Sequence, residues 1–103
     1  MLCPQQKKTG ADKTISYYVQ NPKIAQRQID ETSFLIDPET DIILYLNPLG
    51  SGIWQLLKEP MSILETTTIV QQAFPEIPPQ KIAGDVSKLI NKMFSTGFLS
   101  AFY

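Results

Sequence analysis

The sequence predicts an α+β fold of the winged helix-turn-helix kind, with an N-terminal three-stranded antiparallel sheet followed by three helices. Two short apolar runs, at residues 33–36 and 42–46, flank a polar turn and indicate a β-hairpin. Two helix-start signals follow within residues 47–65. Apolar residues at helical spacing then extend over residues 79–96 and indicate a third helix.

The first 22 residues are interpreted as a flexible N-terminal arm, and residues 23–103 as a single winged-helix domain. Residues 1–14 are polar and show no periodicity. The run ISYYV at 15–19 has strand propensity. Three alternatives are open for this run: docking on the domain, pairing with another chain, or an apolar spot in a disordered tail.

The predicted sheet begins with a weak strand candidate at 24–29, and its hairpin follows. Asp37-Pro38 opens the hairpin turn, because proline presets φ and aspartate accepts a hydrogen bond from the backbone just ahead. In the third strand, one face holds Ile42, Leu44 and Leu46, and the other holds Ile43 and Tyr45. Since the core needs one apolar face, we expect this strand to have a further partner.

The first helix is predicted to begin at Asn47-Pro48, where asparagine caps and proline occupies the first helical position. It carries the single tryptophan, Trp54, as an expected core anchor, and it ends before Pro60. Ser62 with Glu65 forms a capping box for a second helix, which is expected to run from about Ile63 to Phe74.

The third helix is predicted from Pro79 to about Thr96, with Gly97 as its terminating residue. Its apolar band is about 140° wide, which is wide for one helix. The band contains Ile82, Ala83, Val86, Leu89, Ile90, Met93 and Phe94. A stripe of Lys81, Asp85, Lys88 and Lys92 lies beside it. The stripe is either a solvated face or a basic rim that attracts an acidic ligand. Residues 98–103 are expected to pack on the core as a final strand or tail.

Composition weighs against catalysis, metal binding and a cofactor. The chain has no histidine, so Ser-His and Cys-His pairs are excluded and a metal site has few ligands to use. Its five glycines form no phosphate-binding loop. Cys3 is the single cysteine and is interpreted as exposed in the arm. With no apolar run of membrane-spanning length and no signal-peptide pattern, we expect a cytoplasmic protein that is not an enzyme.

Charge is distributed unevenly along the chain. Residues 1–27 hold five basic side chains against one acidic, a net charge of +4, and the remainder holds four against nine, a net charge of −5. Five acids around the hairpin have no basic neighbour in sequence: Asp30, Glu31, Asp37, Glu39 and Asp41. Such a cluster repels a phosphate backbone, which argues against nucleic acid as a partner.

Four segments of the chain together resemble the PqqD family. They are LIDPETDIILYLNPLGSGIWQLL at 35–57, the capping box at 62–65, PQKIAGDV at 79–86 and GFL at 97–99. Members of this family are peptide chaperones first met in pyrroloquinoline quinone (PQQ) biosynthesis. Their fold recurs as the precursor-peptide recognition element of ribosomal peptide modification systems. The resemblance covers roughly residues 24–100.

The resemblance implies that a precursor leader adds as an antiparallel strand to the third strand, with its side chains entering a groove against the third helix. The expected peptide-binding residues are Ile42, Ile43, Leu44, Tyr45, Leu46, Asp85, Val86, Lys88, Leu89, Ile90, Lys92 and Met93. The implied partner enzyme is a radical SAM enzyme, a cyclising synthetase or a leader protease. Whether the pathway makes PQQ or another product stays open.

Two other functions are considered. A winged helix-turn-helix that binds DNA would present Lys81, Lys88 and Lys92 from its third helix, but no arginine, the residue most used to read guanine. A homodimer would pair the open third strand or exchange the run at 15–19 between copies.

Overall fold

The computed structural model describes residues 16–30 and 32–102. Most of the predicted arm, with Cys3, as well as Glu31 and Tyr103, lies outside the described residues. The elements in chain order are β1 (Tyr17–Gln20), β2 (Ala25–Ile29), β3 (Thr32–Ile36), β4 (Ile43–Leu46), α1 (Pro48–Leu56), α2 (Ile63–Ala73), α3 (Pro79–Ser95) and β5 (Leu99–Phe102).

The predicted fold class is confirmed. Strands β2, β3 and β4 form an antiparallel three-stranded sheet with β3 in the centre, and the three helices follow. Strands β1 and β5 form a separate antiparallel pair that the fold class did not include. None of the helices in the described part of the chain combines the length and apolarity needed to cross a bilayer.

The hairpin turn has the predicted chemistry. Asp37 is 7% exposed, and its Oδ1 accepts a hydrogen bond from the backbone N–H of Glu39 at 2.9 Å. The backbone N–H of Asp37 donates to the carbonyl of Ile42 at 3.0 Å, and Asp41 adopts a left-handed φ of 62°. Strand β4 begins one residue later than predicted, because the Ile42 N–H bonds to Thr40 Oγ1 at 3.3 Å.

Helices α1 and α2 begin at the predicted caps. Asn47 Oδ1 accepts from the Gly50 N–H at 2.7 Å, with Pro48 in the first helical position. The capping box of α2 is complete, since Ser62 Oγ accepts from the Glu65 N–H at 3.1 Å and Glu65 Oε1 accepts from the Ser62 N–H at 2.9 Å. Local side-chain chemistry therefore sets where both helices begin.

The end of α3 depends on Gly97, which has a φ of 86°. Its N–H donates to the carbonyl of Phe94 at 3.1 Å, and the N–H of Phe98 donates to the carbonyl of Met93 at 2.8 Å. These two bonds form a Schellman motif, in which a left-handed residue satisfies the last helical carbonyls. The turn directs Phe98 and Leu99 into the core, where they are 0% and 3% exposed.

The core lies between the inner face of the sheet and the three helices. Trp54 is 2% exposed, which confirms its predicted role as a core anchor. The buried apolar cluster consists of Leu35, Leu46, Ile53, Trp54, Leu57, Val70, Ile82, Val86, Ile90, Met93, Phe98 and Leu99.

Strand β1 includes residues 17–19 of the run at 15–19, and these residues dock on the domain, as in the first of the three alternatives. It pairs with β5, and Tyr18 exchanges backbone hydrogen bonds with Met61 at 2.9 and 3.0 Å. Gln20 Nε2 also donates to the carbonyl of Trp54 at 2.7 Å. The predicted boundary between residues 22 and 23 falls after this strand, so residues 17–20 of the predicted arm are paired with the domain.

Alanine substitutions at two glycines of the α3 region are expected to change the free energy of unfolding in opposite directions. Gly97→Ala should lower the free energy of unfolding by about 1 kcal/mol, because alanine is strained at positive φ. Gly84→Ala should raise it by about 0.5–1 kcal/mol, because Gly84 lies within α3 and an added Cβ meets nothing within 4 Å. Urea unfolding of both variants measures this. Equal effects of the same sign would contradict the assignment of Gly97 as the helix terminator.

Candidate functional site

Strand β4 is an edge strand, and within the described residues nothing pairs with its outer edge. The bond from Asp37 N–H to Ile42 C=O fixes the alternation of the antiparallel ladder. By that alternation, Leu44 and Leu46 bond to β3, whereas Ile43 and Tyr45 direct their N–H and C=O groups to the open edge. The sequence-based expectation of a strand that needs a partner therefore corresponds to a specific set of backbone groups.

A cleft of about 710 Å³ lies beside this edge, between the β4–α1 junction on one side and α3 on the other. Its apolar lining is contributed by Leu46, Leu49, Ile53 and Leu89. Leu46 and Ile53 are also core residues, at 3% and 1% exposed, whereas Leu49 and Leu89 are half-buried. The cleft is thus an open extension of the hydrophobic core, and we call it the groove.

Gly50 sets how closely the walls of the groove approach. An added Cβ at this position would lie 3.3 Å from Leu46 Cδ2 and 3.4 Å from Leu89 Cδ2. It would also lie 3.3 Å from Asn47 Oδ1, the atom that caps α1. The first turn of α1 can therefore pass between β4 and α3 because residue 50 has no side chain.

The rim of the groove on the α3 side is basic. Lys81, Lys88 and Lys92 line it together with Asp85. Lys81 Nζ and Asp85 Oδ2 are 3.1 Å apart and form an ion pair between positions i and i+4 of α3. Within the described residues, Lys88 and Lys92 have no carboxylate within 4.0 Å. The stripe is thus solvated and borders the groove, and its attraction for an acidic ligand stays a prediction.

The structure separates the expected peptide-binding residues of α3 into two groups. Val86, Ile90 and Met93 are 0% exposed and belong to the core, so their side chains do not line the groove. Leu89, Asp85, Lys88 and Lys92 do line it. The wide apolar band is explained by this division, because its centre covers the core and its margin at Leu89 faces the groove.

The residues of the third strand also divide by face. Leu46 is buried and Leu44 half-buried on the inner face, whereas Ile43 and Tyr45 are 49% and 69% exposed on the outer face. Ile42 precedes β4 and is 40% exposed. Of these five residues, Tyr45 and Leu46 line the groove.

Six residues that line the groove were absent from the expected peptide-binding set: Thr32, Asn47, Leu49, Gly50, Ile53 and Lys81. Four of them belong to the cap and first two turns of α1, which had been assigned to the fold alone. A usable signal was present, because a helix that starts directly after a strand must pass beside the end of that strand. A glycine in its first turn, flanked by apolar residues, indicates close packing there.

The acidic cluster lies away from the groove, since none of its described members lines it. The cluster has no basic neighbour in sequence, but the fold brings one in space, because Glu39 Oε2 is 3.0 Å from Lys23 Nζ. The hydrogen bond and charge of Glu39 raise the pKa of Lys23 above its usual value. The turn brings Glu39 back over the segment before β2, a proximity that sequence separation conceals.

Comparison with known proteins gives one family and one solved structure. The family profile described as coenzyme PQQ synthesis protein D (PqqD) matches residues 32–99. A similar fold occurs in the structure titled "TbiB1 in Complex with the TbiA(beta) Leader Peptide", which is 18% identical in sequence with a TM-score of 0.66. The likeness covers 80% of this chain and 94% of that chain. No curated protein matches the chain significantly by sequence.

The division of α3 predicts different stability effects for two adjacent residues. Ile90→Ala should lower the free energy of unfolding by about 2–5 kcal/mol, because it leaves a cavity in the core. Leu89→Ala should lower it by about 1 kcal/mol, because Leu89 is half-buried at the groove. Urea unfolding curves test this difference. A larger loss for Leu89→Ala than for Ile90→Ala would reverse the assignment of the two faces.

Proposed function

The chain belongs to the PqqD family, and from that premise we propose that it is a non-catalytic chaperone for a ribosomally made precursor peptide. It captures the leader of the precursor by strand addition to β4 and presents the peptide to a modifying enzyme. The open backbone edge of β4 beside the groove is the observation that carries this proposal.

Strand addition uses both the open backbone edge of β4 and the groove that lies beside it. The N–H and C=O groups of Ile43 and Tyr45 offer hydrogen bonds to any extended chain, which supplies affinity without sequence preference. The groove then selects side chains, because every second residue of an added strand points towards Leu49 and Leu89. The structurally similar TbiB1 is described as bound to a leader peptide.

The basic rim adds a charge preference to this selection. Lys88 and Lys92 lie on the wall opposite β4, so a carboxylate on the bound peptide would approach them. Asp85 is engaged by Lys81 and leaves the net charge of the rim positive. A leader with acidic residues therefore fits the groove better than a basic one.

The modifying enzyme that receives the peptide is, in this proposal, a radical SAM enzyme, a cyclising synthetase or a leader protease. The chain contributes binding and presentation, and the enzyme contributes chemistry. Precursors made on ribosomes arise in the cytoplasm, which is the compartment that the proposal implies.

A proline substitution tests strand addition through the backbone. Ile43→Pro removes an N–H that faces the open edge, a position where proline is tolerated in a strand. We expect the fold to persist and the affinity for a synthetic leader peptide that binds the wild-type chain to fall at least about tenfold. The wild-type dissociation constant is expected to be about 1 μM, which corresponds to a binding free energy of about −8 kcal/mol. Isothermal titration calorimetry measures the affinity, and circular dichroism checks the fold.

Gln28→Pro is the matched control for Ile43→Pro. Gln28 lies on β2, the opposite edge of the same sheet, and the ladder alternation directs its N–H away from β3. Leader binding should be unchanged in this variant. Amide shifts in the wild type should be largest at Ile43, Tyr45 and Leu89. Equal binding by the two proline variants, or shifts confined to residues 1–20, would refute the proposed site.

A charge reversal tests the basic rim. Lys88→Glu should weaken binding of an acidic leader roughly fivefold at low ionic strength, and the difference should shrink as salt rises. Lys58→Glu is the control, because Lys58 is exposed after α1 and does not line the groove. Fluorescence anisotropy over a salt series measures both variants. Equal weakening by both would show that net charge, and not the rim, attracts the peptide.

A further inference from the structure

The outer face of the three-stranded sheet carries an apolar patch at β4 that no other described part of the chain covers. Tyr45 and Ile43 are 69% and 49% exposed there. Behind them on β3 lie Phe34 and Ile36, their direct cross-strand partners, which are half-buried. The rings of Phe34 and Tyr45 are 5.8 Å apart between centroids and inclined at 50°. We call these four residues the outer patch.

The groove accounts for only one member of the outer patch. Tyr45 also lines the groove, whereas Ile43, Phe34 and Ile36 do not, and the core lies on the inner face of the sheet, where Leu44 and Leu46 point. Ile43 and Tyr45 are neighbours on one face of β4. Exposed apolar side chains in such positions are unfavourable in free energy, because their apolar surface stays hydrated. We therefore expect a binding partner to cover the outer patch.

The geometry of strand addition determines what would lie on this patch. Side chains alternate between the faces of a sheet, so half of those on an added strand lie on the outer face. Residues of the added strand that bond to the N–H and C=O groups of Ile43 and Tyr45 stand directly opposite these two residues. Their side chains therefore lie on the outer patch, with Cβ atoms about 4.5–5.5 Å from those of Ile43 and Tyr45.

We propose that the bound leader is read on both faces, and that its residues opposite Ile43 and Tyr45 are aromatic or β-branched and cover the outer patch. This inference rests on the proposed function. It specifies the ligand as an extended peptide whose recognised segment is apolar at consecutive positions. A leader read by the groove alone would be apolar at every second position.

The local charge distribution explains why the outward residues are apolar. The nearest cation on this face within the described residues is Arg27, which lies on β2 opposite Phe34. It is two strand spacings from β4, or about 10 Å. Charged outward residues of the leader would thus find no ionic partner on the sheet face itself, since Lys88 and Lys92 lie on α3, at the other wall of the groove that Tyr45 lines. Aromatic and β-branched residues would form the cross-strand pairs that stabilise a sheet most.

Selection from a phage library of random 16-residue peptides against the full chain tests this inference. The enriched sequences should share a run of about five residues that is apolar at both odd and even positions. Enrichment of apolar residues at every second position alone would overturn the inference and leave strand addition intact. Failure to enrich any peptide that shifts the Ile43 and Tyr45 amides would instead refute the proposed function.

A pair of threonine variants tests the outer patch independently of the library statistics. Threonine keeps strand propensity and removes the large side chain. For a synthetic peptide selected on the wild type, Tyr45→Thr should weaken binding about tenfold, which corresponds to about 1.4 kcal/mol. Ile29→Thr should bind within twofold of the wild type, because Ile29 is 62% exposed on the same face but lies on the far edge strand.

A double-mutant cycle separates direct contact from an effect on folding. Replacing the outward residues of the peptide by serine should weaken binding to the wild type and make the peptide insensitive to Tyr45→Thr. Additive losses would overturn the inference, because they would show that Tyr45 and the outward residues do not touch.

Discussion

The junction between β4 and α1 is the constraint on which the rest of the structure depends. Asn47 ends the strand and accepts the Gly50 N–H at 2.7 Å, and Pro48 starts the helix with no N–H of its own. The chain therefore leaves the sheet at once and does not turn back to add a fourth strand. The open edge of β4 and the groove beside it both follow from this exit.

The groove is shallow because its residues also serve the core. Leu46 and Ile53 are almost fully buried while their outer surfaces line the groove. Core residues are fixed by close packing, so the groove is formed before any peptide arrives. A preformed groove costs less ordering on binding than a flexible one, which lets a short peptide bind through a small area. The neighbouring α3 contributes its margin to the groove and its centre to the core.

Local chemistry could be predicted from the sequence, whereas contacts between distant segments could not. The Asp37 turn, the Ser62 box and the Gly97 terminator depend on residues a few positions apart, and each appears in the structure as predicted. Strand β1 and the contact between Lys23 and Glu39 join segments whose proximity only the complete fold determines.

The apolar band of α3 shows, within a single helix, what could not be predicted from the sequence. Helical periodicity places Val86, Leu89, Ile90 and Met93 on one side, but it does not tell which neighbour covers each. The fold places Val86, Ile90 and Met93 in the core and Leu89 at the groove. The length and position of the groove likewise depend on how α1 crosses β4. A wheel diagram of one helix contains no information about that crossing.

An open apolar edge is also a hazard, because two copies could pair through it. The structure limits this in two ways. Strand β4 has four residues, so a pair formed through its edge alone would gain few hydrogen bonds. The basic rim lies beside the edge, and two copies paired antiparallel through β4 would bring their rims towards each other. In the proposed binding mode, a peptide without lysines would meet neither obstacle, because it would reach into the groove while it pairs with β4. The features that oppose pairing of two copies through this edge are therefore the ones that the proposed short, extended and acidic leader would use.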